Sequence, residues 1–178
     1  MIIDLLKQVS KQLDDKGFEY MLSGSLAMNI YTTPRMTRDI DIVINLNNPD
    51  ISKFVEIFRN GFYLYEEGIE TEIKNRGMFN IIDNTSGVKI DFIIRKNSKF
   101  HLNEFKRRKK VSYFGFDVWV VSKEDLIISK LKWIQDLQSD TQLNDIKNLL
   151  SIDDMDREYV KYWCEELNLQ TYGVLKNE

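Results

Sequence analysis

Cysteine and histidine are almost missing from this chain of 178 residues, which carries one of each, Cys164 and His101. One cysteine excludes an intramolecular disulfide and any Cys-rich zinc site. A zinc hydrolase or a Cys–His nucleophile pair is equally hard to build from single copies, so both residues read as incidental. No apolar run approaches the ~20 residues of a membrane-spanning helix. The first residues, Met1 to Lys7, lack the charged start and small-residue cleavage site of a signal peptide. The expectation is a cytoplasmic protein with no membrane partner. A basic excess is absent too. The net charge of −3 argues against a generally basic nucleic-acid binder and leaves only local patches for phosphate. There is no low-complexity linker and no internal repeat.

What is present is ordinary in bulk. Hydrophobic content of 43% and charged content of 30% describe a globular chain, long enough to bury a sizeable core. The length favours one domain, or one with a helical appendage. Ile2, Ile3, Leu6, Val9 and Leu13 recur at helical spacing, and Lys16-Gly17 ends that helix. Phe18 to Ser23 reads as a strand, Gly24-Ser25 as the start of a helix, and Ile40 to Leu46 as a second strand. Asn48-Pro49-Asp50 starts another helix, with Ile51, Phe54, Val55 and Phe58 on its inner face. Met78 to Asp83 and Val88 to Ile94 form a hairpin about Asn84-Thr85-Ser86-Gly87, and Val111 to Phe114 with Phe116 to Val121 form another about Gly115. Ser122-Lys123-Glu124-Asp125 is a capping-box-like start to a helix through about Leu137. Further helices are expected over 143–150 and 155–167. The fold class is thus α/β: a mixed sheet flanked by helices over residues 1–121, then an all-helical part over 122–178 packed on it.

One stretch stands apart. A strand alternates its side chains, so Asp39 and Asp41 point one way while Ile40 and Ile42 point the other. Two like charges side by side on an apolar, β-branched strand are costly unless something neutralises them. A divalent cation is the obvious neutraliser. Asp91 sits alone among apolar neighbours in the run Val88 to Ile94. Three such acids make a hard-oxygen site suited to magnesium, which keeps waters and takes phosphate oxygens as its remaining ligands. Solvated strand-end acids are the plainer reading, but Ile42, Val43 and Ile44 carry the strand inward. Gly24-Ser25 is either a tight turn or, at a strand-to-helix junction, a cradle of free N–H groups for phosphate. Arg35 and Arg38 flank the acids, either as solvated surface arginines or as phosphate binders.

The ordered set Gly24, Ser25, Asp39, Asp41 and Asp91, over residues 20 to 150, resembles the nucleotidyltransferase superfamily that includes DNA polymerase β. The form Arg35, Thr37, Asp39, Asp41 is most similar to the branch holding AbiE-type toxins and small antibiotic nucleotidyltransferases. The resemblance implies a magnesium-dependent enzyme that moves a nucleoside monophosphate from an NTP such as ATP to a hydroxyl, releasing pyrophosphate. Asp39, Asp41 and Asp91 would hold a two-metal site, with Asp91 helping to activate the acceptor. Gly24, Ser25, Arg35 and Arg38 would meet the nucleotide. The acceptor stays open between RNA, such as a tRNA end in a toxin–antitoxin setting with an antitoxin protein, and an antibiotic hydroxyl. A catalytically silent module that binds a nucleotide or a partner is the alternative from another class.

Two further features bear on these choices. In the helix from Ser122, Leu126, Trp133, Ile134 and Leu137 form an apolar stripe, and Lys130 falls inside it. Snorkelling is the plain account of such a lysine; the resemblance gives Lys130 the nucleotide phosphates. The same branch carries an arginine further on and an Asp-x-x-Asp pair. Here Leu137 and Gln138 stand near the arginine's place, and Gln142 precedes Asp145-Ile146. Lys106-Arg107-Arg108-Lys109-Lys110 is either a solvated face or an RNA contact bordering the acid cleft. Trp119, Trp133 and Trp163 read as core residues, not as a base-stacking platform.

Overall fold

The computed structural model describes residues 2–136 and 139–175. Helix α1 (Ile2–Asp15) buries Leu5, Leu6, Val9 and Leu13 on one face and turns at Gly17, whose φ of 69° suits glycine. Strand β1 (Tyr20–Ser23) is buried throughout and runs directly into helix α2 (Gly24–Tyr31). Strand β2 (Asp39–Ile44) alternates half-buried with buried residues, as the spacing of its acids requires. Helix α3 (Ile51–Phe58) follows one turn of 3-10 helix at Asn48–Asp50 and buries Phe54, Val55 and Phe58. Strands β4 (Met78–Asp83) and β5 (Lys89–Ile94) make the first hairpin, β6 (Lys109–Tyr113) and β7 (Phe116–Val120) the second. Helices α6 (Lys123–Trp133), α7 (Asp140–Leu150) and α8 (Arg157–Glu166) complete the chain.

Three elements lie between these and were not foreseen: β3 (Phe62–Tyr63), α4 (Glu66–Asn75) and α5 (Lys99–Lys106). Each is short or weakly apolar. Helix α4 carries Gly68 and buries only Ile69 and Ile73, while α5 mixes a buried Glu104 with Phe100 and Phe105.

Seven strands form one mixed sheet in the order β3-β4-β5-β2-β1-β7-β6. Strand β2 sits at its centre, antiparallel to β1 and parallel to β5. One face of β2 and β5 carries Ile40, Ile42, Ile44, Ile90, Phe92 and Ile94, all buried. The Phe92 ring meets Phe54 of α3 edge-on at 5.0 Å, inside a group that includes Phe58 and Phe79. Each such side chain contributes roughly 1.5–3 kcal/mol on full burial. That stabilisation lets the opposite face of the same strands hold charge.

Candidate active site

The opposite face floors a cleft of about 590 Å³. Parallel pairing sets Asp41 of β2 beside Asp91 of β5, with Asp39 two residues back beside Lys89. Asp39, Asp41 and Asp91 therefore share one wall, together with Gly24 and Ser25. Burial, with Asp91 and Asp39 close by, pushes the Asp41 carboxyl above the usual range, against the pull of Lys130 and Lys89.

Gly24 is fitted to this acid. Its φ is +61°, and a Cβ on it would stand 1.9 Å from Asp41 Oδ2. Ser23 and Asp41 are paired in register, so α2 starts directly over the β2 acids. The side chain of Asn29 holds the following loop on both sides, donating to the Arg35 carbonyl at 2.8 Å and accepting from its N–H at 3.0 Å.

Arg35 is committed inside the protein. It donates to Ser25 Oγ at 2.7 Å and makes a two-pronged contact with Asp145 at 2.9 and 2.8 Å. Asp145 also accepts from Lys130 Nζ at 2.9 Å, and Gln142 Oε1 takes a second Lys130 bond at 2.8 Å. Thus Lys130, 5% exposed, leans on Asp145. Burial holds its ammonium below the usual lysine range despite the pair. Burial opposes ionisation of Asp145, yet the hydrogen bonds from Arg35 and Lys130 keep its carboxyl below the usual range. Arg38 is exposed and stands outside the cleft lining. Leu137 and Gln138 lie outside the described residues.

Several cleft residues escaped the sequence. Lys89 Nζ bonds Asp91 Oδ2 at 2.7 Å, and that bond raises the lysine's pKa. Strand alternation carried the signal, since residues 89 and 91 share a face. Trp133 was expected in the core and is 72% exposed. The helical stripe itself was right, since Leu126 and Ile134 are in the core, but Leu126, Lys130 and Trp133 also line the cleft, so the stripe is shared between the two. Trp133, at the end of α6, reaches past its cover. Trp163 is buried and Trp119 half-buried, as expected. His101 and Glu104 also line the cleft.

The basic run does not border the cleft. None of residues 106–110 is in its lining. Arg107 pairs with Glu124 and fully buried Asp125, and Arg108 pairs with Glu19 and covers the Phe105 ring at 4.3 Å. Sequence proximity had joined two arginines that work in the fold to three lysines, Lys106, Lys109 and Lys110, that face water.

The donor set suits magnesium: three carboxylates on one wall, with Asp91 Oδ1 buried and without a hydrogen-bond partner among the described residues. Among those residues no three His, Cys, Asp or Glu side chains are already gathered for a metal. Lys89 supplies counter-charge at Asp91 in their place.

The family model described as "Nucleotidyltransferase of unknown function (DUF6036)" matches residues 1–177. The chain belongs to this nucleotidyltransferase family. Solved structures share the nucleotidyltransferase fold at low identity. The antibiotic-resistance factor ANT(2″)-Ia, in complex with adenylyl-2″-tobramycin, is 11% identical with a TM-score of 0.64, over 93% of this chain and 96% of that one. The lincosamide antibiotic adenylyltransferase LnuA, bound to lincomycin, is 16% identical with a TM-score of 0.53, over 85% and 93%. An antigenic nucleotidyltransferase-like protein from Paracoccidioides brasiliensis is 15% identical with a TM-score of 0.53, over 97% and 91%. No curated protein matches this sequence. None of its described helices is long and apolar enough to cross a membrane.

Proposed function

We propose that this chain transfers a nucleoside monophosphate from an NTP to an acceptor hydroxyl. The observation that carries the reading is the register of β2 with β5, which sets Asp41 beside Asp91 on the wall that Gly24 opens. In the reaction the acceptor oxygen bonds to the α-phosphorus, the bond to the β-phosphate oxygen breaks, and pyrophosphate leaves. Asp39, Asp41 and Asp91 would hold magnesium, one ion or two. When bound, magnesium supplies positive charge at the transferring phosphate. Asp91 accepts the acceptor's proton once Lys89 has let it go. The free N–H groups at the start of α2 and the ammonium of Lys130 meet the β- and γ-phosphates. Lys130 is held ready by Asp145 and Gln142 at the cleft wall. Arg35 ties Ser25 to Asp145 and so orients the phosphate turn from behind.

A silent binding module is the second reading, favoured by the Lys89–Asp91 pair and by acids not yet gathered for a metal. Two measurements on one sample separate them. The melting temperature with Mg²⁺ and each NTP reports binding, and pyrophosphate release with a mixture of hydroxyl acceptors reports transfer. Transfer predicts both signals and the loss of both in Asp39→Asn with Asp41→Asn. A stabilised protein that releases no pyrophosphate with any acceptor supports the silent module. No stabilisation by any NTP overturns the transfer reading and the nucleotide-binding form of the silent one.

A further inference from the structure

The cleft changes character along its length. At one end are the acids; along the middle of the floor lie Val43, Ile93 and Met78, and beyond the end of β5 come Lys96, His101, Glu104, Lys132 and Trp133. A strand rises about 3.3 Å per residue, so Lys96 stands roughly 15 Å from Asp91 along the floor. We infer that this far end is the acceptor subsite and that it takes the end of a single-stranded nucleic acid, with phosphates on Lys96 and Lys132 and a base against Trp133. The inference rests on the transfer reading above and adds the acceptor's class.

Charge is the first argument. Lys96 is exposed and Lys132 half-buried, both line the cleft, and each lowers the proton affinity of the same His101 ring. Neither has an ion-pair partner among the described residues. Two ammoniums lining one stretch of a cleft without a counter-ion favour an anion there. The one carboxylate at this end, Glu104, is 3% exposed and accepts from Ser129 Oγ at 2.6 Å. Burial pushes it up to about 8 and pushes His101 down to about 4, so both are neutral near pH 7. This end thus presents a positive surface, which repels a polycationic drug and attracts a phosphate chain. The second argument is the indole. Trp133 is 72% exposed on a helix whose neighbouring large apolar residues are buried, and it lines the same cleft as Lys96 and Lys132. An exposed aromatic beside a cationic groove is the pairing that single strands use, because every base has a π-face. The span from the acids leaves room for a few nucleotides behind the terminal hydroxyl.

The test is fluorescence anisotropy of fluorescein-labelled octa-adenylate, as RNA and as DNA, with parent protein, Trp133→Ala, Trp133→Phe and the double variant Lys96→Ser with Lys132→Ser. The parent is expected to bind one or both octamers, more weakly as salt rises. Trp133→Ala is expected to weaken binding fivefold or more and Trp133→Phe to restore most of it. The double lysine variant is expected to bind more weakly with a flatter salt dependence. Circular dichroism melts confirm that each variant folds, and stabilisation by Mg·ATP is read in parallel. A parent that Mg·ATP stabilises but that binds neither octamer overturns the acceptor alone. Unchanged octamer affinity in Trp133→Ala and in the lysine variant overturns it too, as does tobramycin binding that Trp133→Ala abolishes. Loss of the Mg·ATP signal in the parent strikes instead at the transfer reading.

Discussion

The carboxylate of Asp41 fills the space that a side chain on residue 24 would need, with Oδ2 1.9 Å from where its Cβ would stand. Gly24→Ala must therefore move the acid, and it must also place alanine at a φ of +61°. The expected cost is about 1–3 kcal/mol in urea unfolding, with a larger loss of Mg·ATP affinity than that destabilisation explains. An alanine variant that binds Mg·ATP like the parent would free Asp41 from this geometry.

Lys130 and Asp145 are expected to respond unequally to truncation. Lys130→Ala leaves Asp145 paired with Arg35, so the fold survives on a helix that alanine suits. NTP turnover is expected to fall by a factor on the order of 10² or more, as when comparable electrostatic stabilisers are removed. Asp145→Ala instead leaves the Lys130 ammonium, which is 5% exposed, with neutral Gln142 and no counter-charge at hydrogen-bond distance. Breaking a buried pair in that way costs about 3–5 kcal/mol. Urea melts and turnover on both variants check the ordering; equal losses of stability would refute it.

Glu104 makes stability depend on pH. Burial raises its pKa from 4.5 to about 8, with Asp125 adding to the rise while Ser129 and Lys132 oppose it. Between those values the folded chain holds a proton that the unfolded chain releases, so stability from this group falls as pH rises. Glu104→Gln stays neutral in both states and can keep the bond from Ser129. Its stability relative to the parent is expected to improve from about pH 5 to about pH 9, in thermal melts across that range. A constant difference would mean that Glu104 ionises normally in the fold.

The five charges from Lys106 to Lys110 are expected to separate into two groups. Arg107→Ala removes the cation from Asp125, which is 0% accessible and keeps only neutral donors such as Tyr159, at 2.6 Å, and Ser122. About 3 kcal/mol of stability should be lost. Lys106, Lys109 and Lys110 changed together to Ser should alter both stability and octamer binding little. If that triple variant loses octamer binding, the strand runs over β6 and not along the cleft.

The acids, the glycine turn and Lys130 were legible because alternation and helical spacing report which face a residue occupies. Spacing does not report what the face meets. Trp133 shows the difference: its stripe is real, but the stripe ends at a cleft. The Arg35–Asp145 and Arg107–Asp125 pairs were invisible because they join distant segments, and β3 and α4 bury too little to leave a pattern. Glu104 could have been found, since it lies one helical turn from Phe100 on the same face of α5.

Arg35 and Asp145 stand 110 residues apart in sequence. A chain made from its first residue onward therefore completes its three acids by Asp91 but has no anchor for Arg35 until α7 emerges. At roughly 5–20 residues per second, several seconds separate these events during synthesis. In that interval the strands that carry the acids have been made and the helix that holds Arg35 has not. The clamp on the Gly24-Ser25 turn arrives late, through a helix that supplies no acid to the wall.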